Sequence, residues 1–245
     1  MIKNILVTGD CHRRFNRLYH IPRRYKPEET AIILLGDVCI NYCLDSSDED
    51  SLKKLNELGY ILYCVHGNHE ERPINIPNMV LEYDDDVNNY VWVNLLYPNV
   101  RFLADGYDYK INNKTFTVFS GAYSVDKEYR LMTGRSWFES EQLSVEDMNS
   151  VLENAKGESY DYIFSHTCPY SWRPIDQFLP GIDQSKVDTR TEEWLEKLRR
   201  NVDFKHWFCG HWHIYREIEQ YNQRGTFLYG EVYDLNKDDV IFSEV

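Results

Sequence analysis

The chain has 245 residues, 42% hydrophobic and 15% aromatic, enough to bury a sizeable core as one large domain or two small ones. Its 27 Lys and Arg against 40 Asp and Glu leave a net charge of −13, so the surface as a whole repels nucleic acid and anionic membranes unless basic residues gather locally. No run approaches the roughly 18–20 apolar residues of a membrane-spanning helix. The six cysteines (Cys11, Cys39, Cys43, Cys64, Cys168, Cys209) lack CxxC pairing, and no apolar N-terminal stretch resembles a signal peptide, so a soluble, reduced, cytoplasmic chain without a membrane partner is expected.

In chain order, short apolar runs at 2–7 and 31–35 have the composition of buried strands. A helical spacing of apolar residues follows at 51–58, then a strand-like run at 61–65 and another at 115–119. The second half alternates a helix at 145–155, a strand at 162–164, a helix at 191–199 and a strand at 207–209. The last of these helices carries acids toward its start and bases toward its end, as the helix dipole favours. Residues 214–241 mix β-prone stretches with turn residues and predict closing antiparallel strands. The alternation predicts α/β layers. The acidic runs 45–50 and 84–86 are expected to be solvated loops or helix starts. With no internal repeat and no low-complexity linker, residues 1–245 are expected to form a single domain.

Four predicted strands end in a glycine followed at once by a residue able to bind metal: Gly9-Asp10, Gly36-Asp37, Gly67-Asn68 and Gly210-His211. A single Gly-Asp marks no more than a strand leaving its sheet. Four together point to one site, because the carboxyl ends of α/β strands are where loops converge over a rigid core. The first and last extend to Asp10-Cys11-His12 and His211-Trp212-His213, whose outer residues face the same side in extended chain. His166 lacks a preceding glycine and alone would be a structural histidine, but it too directly follows a predicted strand and supplies the nitrogen ligand that a second metal needs.

The ordered set Asp-x-His, Gly-Asp, Gly-Asn-His-Glu, His, Gly-His-x-His, running from Asp10 to His213, resembles the calcineurin-like metallophosphoesterases, and among them the compact bacterial and phage members, in which phosphodiesterase activity is frequent. The resemblance implies a four-layered α/β/β/α sandwich with mixed sheets, whereas spacing alone supports only α/β. It implies one divalent metal held by Asp10, His12, Asp37 and His213 and a second held by Asp37, Asn68, His166 and His211, with Asp37 bridging. It also implies in-line attack by a metal-bridging hydroxide, with Asp37 and His69 as catalytic residues. His69 would contact the substrate phosphate and protonate the leaving oxygen. Two divalent ions against two aspartates leave roughly +2 with which to hold a phosphate and a hydroxide. Oxygen and imidazole donors without thiolate favour manganese, iron, zinc or a similar ion without choosing among them; manganese is the first expectation, with iron, zinc, nickel, cobalt or magnesium as other candidates. Cys11, Cys39, Cys64, Cys168 and Cys209, near the motif residues, occupy none of the implied ligand positions and are expected to be small buried fillers, while His20, His66 and His206 are expected to be structural.

The family's Ser/Thr protein phosphatases carry Val-Asp-Arg-Gly after the Gly-Asp; here the chain reads Val38-Cys39-Ile40-Asn41, without the arginine that grips a phosphomonoester. A phosphodiesterase acting on cyclic nucleotides or nucleic-acid ends is therefore favoured. The alternatives are a phosphomonoesterase for nucleotides, sugars or phosphoproteins and, since no expected ligand is lost, more remotely a non-catalytic scaffold. Residues 121–144, with Lys127, Arg130, Arg135 and Trp137, are expected to form a substrate lid inserted in the domain. A second rim at 169–180, with Trp172 and Arg173, ranks slightly below it. Asn68 and His69 are expected to touch substrate as well. The sequence leaves the oligomeric state open.

Overall fold

The computed structural model describes residues 2–244. Along the chain come β1 (Asn4–Thr8), a single turn α1 (Asn16–Tyr19), β2 (Thr30–Leu34), α2 (Ser46–Glu57) and β3 (Ile61–Cys64). Four strands follow without an intervening α-helix: β4 (Met79–Asp84), β5 (Asn89–Asn94), β6 (Val100–Leu103) and β7 (Tyr109–Ile111). The second half contains β8 (Lys114–Phe119), α3 (Lys127–Thr133), α4 (Val145–Ala155), β9 (Ser159–Ser165), α5 (Arg190–Asn201) and β10 (Asp203–Cys209). It closes with β11 (Arg216–Gln220), β12 (Gln223–Phe227), β13 (Glu231–Asp234) and β14 (Asp239–Ser243).

Two mixed sheets result, with strand orders β14-β13-β1-β2-β3-β6-β5-β4 and β11-β12-β10-β9-β8-β7. The expected strands form their parallel centres: β1, β2 and β3 pair in parallel in the first sheet, as do β8, β9 and β10 in the second. The period of two explains how both faces of each sheet are buried. Ile5, Val7 and Ile33 point inward to meet Val118, Phe164 and Phe208 of the other sheet. Their neighbours Leu6, Ile32 and Leu34 point outward against Leu18, Leu52 and Leu55 of α1 and α2. On the far side Ile163, Trp207 and Cys209 pack against Met148 of α4 and Trp194, Leu195 and Leu198 of α5. Three apolar interfaces thus separate four layers, the α/β/β/α sandwich that the resemblance implies.

The helix ends follow local chemistry. Asp45 caps α2 by accepting from the Ser47 N–H, so the helix starts before the first apolar residue of the expected segment. Ser144 caps α4 in the same way through Asp147. The expected solvated run at 84–86 is corrected at its first residue: Asp84, 7% exposed, ends β4 and accepts a hydrogen bond from Tyr63 Oη at 2.9 Å while pairing with Arg101 of β6. No helix among the described residues is long and apolar enough to cross a membrane.

Because Asp84 satisfies both Tyr63 of β3 and Arg101 of β6, its removal leaves a half-buried guanidinium with only the more distant Asp86 carboxylate as a charge partner, at 3.8 Å. Asp84→Ala is expected to lower stability by about 3 kcal/mol in urea denaturation. Asp84→Asn should lose less, since the amide oxygen still accepts from Tyr63. Equal midpoints for wild type and both variants would show that the network stabilises nothing.

Candidate metal centre

The carboxyl ends of β1, β2, β3, β9 and β10 share one edge of the sandwich, and backbone hydrogen bonds carry their order into the loops beyond. Leu35 N–H donates to Thr8 O at 3.0 Å, His12 N–H to Asp37 O at 2.8 Å and Gly210 N–H to His166 O at 2.9 Å. The glycines that end these strands are demanded by close approach. A Cβ on Gly36 would stand 2.2 Å from His166 Nδ1, one on Gly67 2.1 Å from Asp37 Oδ1, and one on Gly210 2.2 Å from Asp10 Oδ1. Three of the four glycines therefore make room for a neighbouring loop's candidate ligand. Several candidates also sit in the left-handed backbone region, His12 at φ 43°, Asp37 at 47°, His211 at 66° and His213 at 52°. Such conformations persist in non-glycine residues only where the surroundings over-determine them, and they cluster at functional sites.

All seven candidate ligands from the sequence lie at this edge. Asp10, Asp37, Asn68 and His166 are buried, and His12, His211 and His213 line its opening. Asp10, His12 and His213 form one group of donor atoms close enough to share an ion, and Asp10, Asp37 and His166 form another. The donor chemistry fits divalent cations. Asp10 Oδ2 is buried without a hydrogen-bond partner among the described residues; its neighbours are His213 Nε2 at 3.3 Å and His12 Nε2 at 3.7 Å. His12 Nε2 and His213 Nε2 face each other at 2.9 Å, a spacing that two lone pairs do not hold without a proton or cation between them. His166 donates from Nδ1 to Leu35 O at 2.8 Å, which leaves Nε2 as a lone pair aimed at Asn68 Oδ1, also 2.8 Å away and also an acceptor. Asp37 Oδ1 lies 3.5 Å from the same nitrogen.

A second ring of residues sets these orientations. Asn68 Nδ2 donates to Ser124 Oγ at 2.9 Å, and Ser124 Oγ donates onward to Glu141 Oε2 at 2.5 Å, so the amide oxygen can only point inward. Glu70, fully buried, points away from His69. It accepts from Cys39 N–H and Gly67 N–H, both at 3.1 Å, and cross-braces the loops that carry Asp37 and Asn68. Burial, followed by the Asp37 charge, pushes the Glu70 carboxyl up to about 8. Arg17, beneath the site, donates to the Asp10 carbonyl. Burial drives the imidazolium forms out of His69, lowered to about 4, and His211, lowered to about 3, as suits neutral donors. Ser124, Glu141 and Arg17 were not singled out in the sequence; the one available signal was Gly121, a further strand-end glycine, whose Cβ would strike Glu141 O at 2.3 Å.

His69 flanks the centre. Its N–H donates to Asp37 Oδ1 at 2.8 Å, and its Nε2 accepts from Arg130, a buried residue of α3 that also forks onto Asp126. Of the residues expected to hold substrate, Asn68, His69, Arg130 and Arg173 line a cleft of about 390 Å³ that opens onto the centre. The others lie elsewhere. Lys127 stacks over the Trp137 ring at 3.8 Å and Arg135 over Tyr129 at 5.3 Å, so these expected lid groups pair with one another and are absent from the cleft lining. Trp172 is corrected from rim to core: it is 3% exposed and packs edge-on against Trp207 at 5.9 Å, with Gly225 against its ring. Arg13, next to His12, turns away to Asp48 at the start of α2. His66 donates to Glu70 O and His206 hydrogen-bonds Thr226 Oγ1, both at 2.8 Å, and His20 donates to Asn16 O. Five of the cysteines are buried and Cys43 is exposed; none forms a disulfide.

No protein of curated function matches the sequence. Among solved structures, one spans 98% of both chains at 14% identity with a TM-score of 0.56, which supports the fold. Two others are TT1561 of Thermus thermophilus, at 12% identity over 98% of this chain and 97% of that one with a TM-score of 0.49, and the phosphopantetheinyl hydrolase PptH of Mycobacterium tuberculosis, at 14% identity over 92% and 89% with a TM-score of 0.48. The family model described as calcineurin-like phosphoesterase matches residues 3–215, most of the chain, and with the two mixed sheets and the histidine–aspartate edge already in place, the chain belongs to the calcineurin-like phosphoesterase family.

Proposed function

We propose that the protein is a dinuclear-metal phosphoesterase that prefers phosphodiesters and works in the cytoplasm with manganese. The observation that supports the reading is the convergence of acceptors, above all Asp10 Oδ2, without a hydrogen-bond partner among the described residues, and His166 Nε2 facing Asn68 Oδ1. Asp10, His12, Asp37 and His213 would hold one ion, and Asp37, Asn68, His166 and His211 the other. When bound, such a pair activates water near neutral pH and stabilises the attacking and leaving oxygens of an in-line displacement. Six unpaired cysteines support the reducing compartment.

The chain's own groups do the rest. His69 keeps Nε2 unprotonated while Arg130 donates to it, so its proton resides on Nδ1. A substrate phosphate drawing the guanidinium away would leave the Nε2 lone pair free to take up a proton from water or from the phosphate itself, with Nδ1–H retained, and to pass that proton to the leaving oxygen. Asp126 anchors Arg130 through Nε and through the same Nη2 that reaches His69, and so keeps it within reach. The phosphomonoesterase reading has one observation in its favour, the same Arg130, which brings a cation to the cleft beside His69 although Asn41 stands at the family's post-Gly-Asp arginine position. Diesters remain preferred because a single guanidinium, already shared with Asp126, is a weak match for a dianion.

Chelator-stripped protein, reloaded with manganese, is expected to hydrolyse bis(p-nitrophenyl) phosphate faster than p-nitrophenyl phosphate. Asp37→Asn should bind less metal and lose turnover. His69→Ala should keep its metal and lose about 100-fold or more in kcat. Turnover indifferent to chelation would sink the metal-dependent reading, and a monoester preference would replace the diester assignment.

The orientation of Asn68 gives an independent test. Ser124→Ala removes the acceptor that turns the amide, and manganese binding by calorimetry should weaken about tenfold or more for one ion only. Unchanged affinity would detach Asn68 from metal binding.

A further inference from the structure

Resting on the phosphoesterase reading, we propose that the cleft beside the metal centre is a specificity subsite for a flat aromatic group on a small phosphoester, walled by the segment that joins β9 to α5. The cleft is continuous with the candidate ligands, since Asp37, Asn68, His69, His211 and His213 form one side of it. The segment between β9 and α5 lines much of the rest with the apolar Phe178, Leu179, Ile182 and Val187, interspersed with Arg173, Gln177, Gln184 and Thr189. Phe178 lies nearly parallel to Trp212, 15° between planes and 5.6 Å between centroids, and Trp212 stands between His211 and His213 in the chain. An aromatic surface therefore begins one residue from two candidate metal ligands.

These apolar side chains are not remnants of the core. Leu179 is 62% exposed and lies outside every strand and helix of the described residues. The segment is nevertheless held in place. Asp176 forks onto Arg216 of β11 at 2.9 and 2.6 Å, and Arg173 lies over the rings of Tyr170, at 3.5 Å, and Phe178, at 5.8 Å. At about 390 Å³ the space suits a small-molecule group and sits at the lower end of ordinary ligand cavities. A long polyanion fits poorly: only Arg130 and Arg173 among the lining residues are basic, no lysine is present, and the chain carries −13 overall. An apolar wall next to a phosphate site selects by the group attached to the phosphate, and burying a ring there discriminates aryl from methyl esters.

The test uses the full-length, manganese-loaded protein. Binding of phenylphosphonate and methylphosphonate, neither of which can be hydrolysed, is measured by calorimetry, alongside turnover of phenyl and methyl p-nitrophenyl phosphate diesters. Phenylphosphonate is expected to bind about tenfold or more tightly than methylphosphonate. Phe178→Ala and the exposed-site variant Leu179→Ser should each pull the aryl-to-methyl ratio down, in binding and in kcat/KM alike. Equal affinities in the wild type, no binding of either phosphonate, or a ratio that neither variant moves would overturn the subsite. Diester turnover without aryl preference overturns the subsite and leaves the phosphoesterase reading intact. Aryl preference in binding without turnover of any ester does the reverse.

Discussion

Two carboxylates, an amide oxygen and several imidazole lone pairs are packed against one another at the sheet edge, with few donors among them, and the surrounding structure is arranged around that imbalance. Asp10 and Asp37 each receive one backbone N–H, from His211 and His69 respectively. Their other oxygens face imidazole nitrogens at 3.3 to 3.8 Å, too far for a good hydrogen bond and close enough to share a cation. Buried charge of one sign is costly unless it is paired or coordinated. A constellation like this is held together by the fold and relieved by cations, so its order must come from elsewhere in the molecule.

That order comes from layers. Parallel strands from two sheets bring five loop origins to a common edge, and alternating side chains bury both faces of each sheet, so the strand ends have no freedom to slide. The loops then approach so closely that a Cβ at Gly36, Gly67 or Gly210 would overlap a neighbour's candidate ligand. Glu70 cross-links two of these loops through their backbone amides, and Ser124 with Glu141 fixes the Asn68 amide from a third. The positive φ of His12, Asp37, His211 and His213 is the local cost of aiming side chains inward from such tight turns.

These same features explain what was legible in the sequence. A glycine before a donor residue records a steric requirement that acts at one position, so Gly9, Gly36, Gly67 and Gly210 mark the site directly. The central strands were readable because burial on both faces makes them continuous apolar runs. The strands β4 to β7 were not: β4 and β5 form a sheet edge with exposed residues such as Leu81, Tyr83 and Tyr90, and their alternation is broken by acids and asparagines. Asp84 read as solvated because its partners Tyr63 and Arg101 are distant in sequence. Trp172 and Arg173, adjacent in the chain, were both expected at the rim, yet one fills the core beside Trp207 and the other reaches the cleft; a one-residue step reverses the facing, and no composition signal distinguishes them. The supporting Ser124 and Glu141 were hidden for a related reason, since a residue that orients another needs no motif of its own.

The molecule thereby separates two tasks. Strand ends, whose positions the whole sandwich determines, supply the candidate ligands, while segments outside the sheets supply what surrounds them. Asn41, standing where the protein phosphatases of the family carry arginine, is occupied in tying its loop to Glu71, whose N–H donates to the Asn41 carbonyl at 2.8 Å. The guanidinium that reaches His69 instead belongs to Arg130, on a helix between β8 and α4. The aromatic wall belongs to the segment before α5. Both segments lie outside the two sheets, so each can vary in sequence without disturbing the backbone contacts among β1, β2, β3, β9 and β10. A change of substrate therefore demands less of this fold than a change of metal chemistry, because a substituted wall residue alters one surface, whereas a substituted strand-end glycine displaces a ligand held by its neighbour.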